Sequence, residues 1–173
     1  MTDDLLLALD PGERTGWALF RGPRLIGAGT WKGDPEGQLW DALVLMAPAF
    51  ITVVIEEPGT RGWNDKASKA SLAVLNQRVG GFAATVRFYG VGMQSIGKAI
   101  TTRVAIIPVA KWKGNKPKVQ TQRDMVMIYR KDLERLRPES LDHNTFDAIG
   151  LGHWFLGYEL CHGKKGGGPW DGR

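Results

Sequence analysis

An α/β fold is predicted, with a mixed sheet whose first three strands run antiparallel and whose faces carry helices. Three observations predict it. Apolar runs of strand length alternate with helical patterns after residue 34. The first three runs are instead separated only by turn-sized polar segments. Two of the most apolar runs, LLLALD and ITVVIEE, end in carboxylates followed at once by proline. In such sheets a ligand site tends to lie just beyond the strand ends.

Taken in order, residues 5–9 (LLLAL) form an unbroken apolar run, as in a strand buried on both faces. A tight loop at 10–15 follows. Strands at 16–20 and 25–31 are joined by a turn at Gly22 and Pro23, which completes an antiparallel meander. Asp34 is placed to cap a helix, with Pro35 at its first position, and the helix runs to about Met46. Residues 51–55 (ITVVI) are mostly β-branched and read as a second central strand. A long helix follows from Lys66 to about Tyr89, with Leu72, Leu75, Val79, Phe82 and Val86 at helical spacing. Gly80 and Gly81 inside it are poor helix formers, so close packing against another element is expected there. Residues 104–109 (VAIIPV) give the fifth strand, with Pro108 at its end. A basic loop leads to a helix from about 118 to 130. Pro138 breaks the chain, and Asp142 caps a last helix through about Tyr158. The expected order is β-β-β-α-β-α-β-α-α. It makes one domain over residues 1–161, with a Gly/Lys-rich tail at 162–173 expected to be mobile.

The totals narrow the function classes. A chain of 173 residues can bury a core without disulfides. The single cysteine, Cys161, excludes an internal disulfide and a cysteine-rich zinc site, and fits a reducing cytoplasm. The acidic start (MTDD) lacks the basic region of a signal peptide, so a cytoplasmic location is expected. The longest mainly apolar stretch, 42–55, is interrupted by Pro48 and is too short to span a bilayer, so no membrane role is expected. A net charge of +5 and a pI near 9.5 favour a polyanionic partner, nucleic acid first. Clustering strengthens that reading: Lys111, Lys113, Lys116 and Lys118 fall within AKWKGNKPK, and the tail adds Lys164 and Lys165.

The chemistry-bearing residues are acids. Asp10 and Glu56 end two central strands, and neighbouring strands lie about 5 Å apart. Asp147 sits amid apolar residues in HNTFDAIGLG, with His143 four and Asn144 three positions before it; both spacings reach the same helix face. Gathered carboxylates repel one another without a cation. An oxygen-rich set suits Mg²⁺ or Mn²⁺. In two-metal phosphoryl chemistry one ion activates water and the other stabilises the leaving oxygen.

These pieces carry a resemblance. LALDPGERTGWALF, VVIEEP, LNQRVGG, KGNKPKVQTQRDMV and DHNTFDAIGLG resemble, in order and over nearly the whole chain, the RuvC family of Holliday junction resolvases. Those are nucleases of the RNase H-like superfamily, and VAKWKGNKPK looks most like phage-encoded members. The resemblance implies an RNase H-like mixed five-stranded sheet, three antiparallel strands plus two parallel. It implies catalytic Asp10, Glu56 and Asp147 and two Mg²⁺ or Mn²⁺ ions per site. It also implies a homodimer that nicks two opposed strands of a four-way DNA junction. The lysine of KPKVQ, Lys118, would face the DNA, and Arg14, Arg61, Trp63, Lys111, Lys113 and Lys116 join it as DNA-binding candidates. The helix carrying Gln77, Gly80 and Gly81 would form the dimer interface. The departure is at the fourth active-site position. The family usually has an acid or a histidine three residues before the last aspartate, where this chain has Asn144, with His143 one step earlier. Histidine is the better proton carrier, so His143 is expected to act on the attacking water or its metal, with Asn144 a secondary metal ligand.

Plainer readings stand beside these. Asp-Pro-Gly is a good turn sequence on its own. Glu57 rivals Glu56, but alternation sends the two to opposite faces, and the resemblance selects Glu56. Trp63 beside Arg61 can stack on a base. His153 and His162 lack acidic neighbours at useful spacing and are read as structural. DPGERTG also resembles the phosphate loop of actin-like ATPases. Those need two such subdomains and this length supplies one, so no nucleotide cofactor is expected. A nuclease of the same fold with broader branched-DNA or RNA–DNA hybrid substrates is the closest alternative. A non-catalytic junction binder would need a missing acid, and all three are present.

Overall fold

A computed structural model describes residues 4–59, 66–114, 117–138 and 141–157. Strands β1 (Leu5–Asp10), β2 (Thr15–Arg21) and β3 (Arg24–Trp31) form the antiparallel meander. Helix α1 (Pro35–Met46) follows; Asp34 accepts from the Gly37 N–H at 2.9 Å and Pro35 opens the helix, as predicted. Strand β4 (Phe50–Glu57) lies parallel to β1, and β5 (Thr101–Pro108) parallel to β4. Between them runs α2 (Lys66–Ser95), and after β5 come α3 (Val109–Trp112), α4 (Lys118–Ile128), α5 (Arg130–Leu136) and α6 (His143–Phe155). The sheet order is β3-β2-β1-β4-β5, so β1 and β4 are the central strands.

The leucine run of β1 is explained by this position. Leu6 and Ala8 face one core, built with α4, α5 and α6; Leu5, Leu7 and Leu9 face the other, built with α1 and α2. A strand with helices on both sides has no polar face to show. Among the described residues no helix is long and apolar enough to cross a membrane.

The larger differences from the sequence expectation fall at four places, beyond shifts of one or two residues at the ends of β1 to β4. Helix α2 continues past Tyr89 to Ser95. Within that extension Gly90 is small because a Cβ there would come 2.6 Å from Thr102 Oγ1 of β5. Strand β5 begins at Thr101 rather than 104, because its backbone pairs with β4 from Phe50 onward, although Thr101 and Arg103 are polar and exposed. One turn of helix, α3, replaces the start of the expected basic loop. The helix expected at 118–130 is two, α4 and α5, divided at Tyr129 (φ −103°, ψ 18°). There the buried Tyr129 hydroxyl meets His153 Nδ1 of α6 at 2.9 Å. The glycine pair in α2 is split in role. Gly81 packs against Glu36 of α1, where a Cβ would lie 2.9 Å from Oε1, whereas Gly80 borders open space. The tail at 162–173 and the end of the last predicted helix lie outside the described residues.

Candidate active site

Strand register brings the first two acids together. The last β1–β4 pair is Leu9 with Ile55, so Asp10 and Glu56 are the next residues along adjacent strands. Asp10 continues the face of Leu6 and Ala8, and Glu56 the face of Val54; all three apolar residues belong to the core under α6. Glu57 falls on the other alternation and is exposed. Asp147 arrives from above. Helix α6 is capped by Asp142, whose side chain accepts from the Thr145 N–H at 3.0 Å. Its residues Phe146, Ala148 and Ile149 bury against the sheet and carry Asp147 in with them. Asp10 is 8% and Asp147 4% exposed, so two carboxylates are held almost out of water.

The electrostatics follow. Burial, then the charges of Glu56 and Asp147, hold the Asp10 carboxyl well above its ordinary range, with Lys113 and Lys118 opposing. Glu56 is pushed up to about 7, first by burial and then by Asp147; Lys113, a Trp112 hydrogen bond and Lys118 pull the other way. Asp10 feels the charges of Glu56 and Asp147, and Glu56 that of Asp147, as in a site short of positive charge for its carboxylates.

The cation present is a lysine. Lys113 Nζ lies 2.5 Å from Asp147 Oδ2, with its side chain only 9% exposed. Lys113, expected as a DNA-binding candidate, is largely buried here, with its ammonium paired to Asp147. The preceding residue, Trp112, donates its indole N–H to Glu56 Oε2 at 2.9 Å. Neither contact was foreseen. The available signal was a tryptophan between two lysines, four residues after the strand-ending Pro108. Lys118, the first residue of α4, is exposed yet close enough to act on both Asp10 and Glu56.

The fourth position divides. Asn144 donates from Nδ2 to the Arg14 carbonyl at 2.7 Å, which ties α6 to the β1–β2 loop. The approach is close enough that a Cβ at Gly16 would fall 2.0 Å from the Asn144 carbonyl oxygen. His143 is exposed and lines a cleft of about 570 Å³ with Gly12, Arg14, Arg78 and Asn144. Arg78, also missed from sequence, donates to the Gly12 carbonyl and holds the loop from the other side. Arg14 pairs with Asp142 at 3.3 Å and remains partly exposed. Lys111 is exposed; Gln77 and Gly80 are exposed on α2. Arg61, Trp63 and Lys116 lie outside the described residues.

Among the described residues no three acidic, imidazole or thiol side chains stand close enough to hold one metal ion. The donor chemistry nevertheless suits a hard divalent cation: three carboxylates, mutually repelling, two nearly buried, with a lysine supplying the nearby positive charge.

The chain matches no protein-family model and no curated protein sequence. Its fold does match solved structures. Thermus thermophilus RuvC aligns with a TM-score of 0.55 at 16% identity, covering 86% of this chain and 90% of that one. T. thermophilus RuvC in complex with a Holliday junction substrate aligns with a TM-score of 0.56 at 12% identity, covering 86% and 89%. The chain therefore has a RuvC-like, RNase H-like fold.

Proposed function

We propose that this chain is a metal-dependent endonuclease that resolves four-way DNA junctions. The observation that carries the reading is the gathering of Asp10, Glu56 and Asp147 on one face, at one end of the two central strands, under Lys113 and Lys118. Asp10, Glu56 and Asp147 would hold Mg²⁺ or Mn²⁺, two ions per site, with Asn144 a secondary ligand. When bound, such ions supply an activated water and charge stabilisation at the leaving oxygen. Asp147 would join Asp10 and Glu56 in holding the cation on giving up its Lys113 partner, and the Lys113 ammonium would supply positive charge at the site. Lys118, at the start of α4, meets the DNA backbone, and Arg14 and Lys111 extend the basic surface. Two copies pairing through α2 would set two such sites against opposed strands. The exposed Val74, Gln77, Phe88 and Val91 recur along that helix at spacings that form one stripe.

His143 is the proposed proton acceptor for the attacking water. It opens on the cleft beside the loop that follows Asp10, and imidazole accepts a proton near neutral pH where an amide cannot. His143→Ala should cut the single-turnover rate by about 100-fold, the usual scale for a lost general base. Asn144→Ala should cost less, by loosening the Arg14 loop. A fully active His143→Ala beside an inactive Asn144→Ala would reverse the assignment.

The function itself is tested by a cleavage assay on four-way junction, fork, duplex and RNA–DNA hybrid, with Mg²⁺ and with Mn²⁺. Paired nicks confined to the junction are expected. Equal cleavage of forks or hybrids would favour the broader nuclease, and no cleavage of any substrate would overturn the reading.

A further inference from the structure

Helix α3 is a single turn, yet two adjacent residues at its end reach two different acids. Trp112 donates to Glu56 Oε2 at 2.9 Å, and Lys113 Nζ lies 2.5 Å from Asp147 Oδ2. The indole has little freedom to move. It is 4% exposed, and its edge lies against Gly150, where a Cβ would come 2.9 Å from Cζ3 and 3.3 Å from Cη2. Gly150 follows Asp147 by three residues on α6, so the helix that delivers one acid also backs the ring that holds another. The Lys113 ammonium lies 5.4 Å from the centre of the same ring.

A buried tryptophan needs an acceptor for its N–H, and any nearby carbonyl would do. A carboxylate acceptor makes the bond charge-assisted and gives it a second effect. Glutamate reaches its target through several free torsions, and ordering them costs entropy at the moment a ligand binds. A donor fixed on Oε2 settles those torsions in advance.

We propose that Trp112 is a positioning residue, fixing the Glu56 carboxylate for a divalent cation. The inference rests on the reading of these acids as metal ligands. It adds the residue that orients one of them, and it places Gly150 as the space the indole requires.

The test is a titration of the full chain with Mn²⁺ alone, without DNA, following the free-ion signal by electron paramagnetic resonance. Trp112→Phe keeps a ring and removes the N–H. Its Mn²⁺ affinity should fall by about 10-fold or more, the scale for losing a group that orients a metal ligand. Gly150→Ala keeps the N–H but displaces the ring from behind, and should weaken Mn²⁺ in the same direction. In junction cleavage, kcat should fall with the metal affinity while KM for the DNA stays within about twofold, because no phosphate contact is removed. A folded Trp112→Phe with wild-type Mn²⁺ affinity would overturn the proposal. If that variant does not fold, an unchanged affinity in Gly150→Ala would do so. Weakened Mn²⁺ binding in a protein that cuts no branched DNA would sustain the positioning role and sink the proposed function. Junction cleavage with Mn²⁺ affinity unaffected by either change would do the reverse.

Discussion

Asp10→Asn and Glu56→Gln should each abolish strand cleavage, leave junction binding intact, and stabilise the fold at pH 8 in the absence of divalent ions. The first effect comes from removing a carboxylate where charge must be stabilised during phosphoryl transfer. That contribution is several kcal/mol, about a thousandfold or more in rate. The second is expected because the proposed binding uses lysines and other contacts to the backbone, not these acids. The third separates a functional cluster from a structural one. Both carboxyls are held above their ordinary range by burial and by each other, so the folded chain is strained by its own charge. An amide of the same shape relieves that repulsion. Asp147→Asn should be equally inactive but should not stabilise, because it strips the buried Lys113 of its partner. Glu57→Gln should cleave normally, since Glu57 is exposed on the opposite alternation. Single-turnover cleavage, gel-shift binding and thermal melts on the same four variants decide the matter. An inactive Glu57→Gln beside an active Glu56→Gln would refute the assignment of the acids.

The three acids were legible because each carries a local mark. Asp10 and Glu56 end apolar runs at proline-containing turns, and Asp147 interrupts the apolar face of a capped helix. Strand adjacency then needed only the rule that a parallel partner follows a crossover helix. What was not legible depends on distance along the chain. Trp112 and Glu56 are 56 residues apart, and nothing local says that the indole of AKWKG meets a carboxylate. A four-residue helix has no periodicity to read, so α3 looked like loop. The lysines of the cluster look alike in sequence, yet Lys113 is buried on Asp147 and Lys118 is exposed. The fourth position was ambiguous for a physical reason. Spacings of three and four share a helix face, and the Asn144 bond to the Arg14 carbonyl, 130 residues away, leaves no local mark.

The stability of the metal-free chain should fall as the pH is raised from about 5 to 8, and Mg²⁺ should reverse the fall. Glu56 is raised from 4.5 to about 7 in the folded chain. Between those values the folded state holds a proton that the unfolded state has released, so stability is lost as the pH climbs through the window. At about 1.4 kcal/mol per unit, the Glu56 share is on the order of 3 kcal/mol, and Asp10 acts in the same direction. Asp142 has the opposite sign. Burial alone would raise it, but the Thr145 N–H, the Thr30 and Thr145 hydroxyls and Arg14 together lower it. Its stabilisation is present above its unfolded value and lost only in more acid solution, outside this window. The readout is the difference between wild type and Glu56→Gln rather than the raw slope. A cation that binds the ionised acids competes with protons, so Mg²⁺ should raise the melting temperature strongly at pH 8 and little at pH 5. In Glu56→Gln both the pH slope and the Mg²⁺ increment should shrink. A wild-type melting temperature that is flat across the window, or a Glu56→Gln variant with an undiminished slope, would mean that the cluster is not short of positive charge. The case for a cation there would then fail.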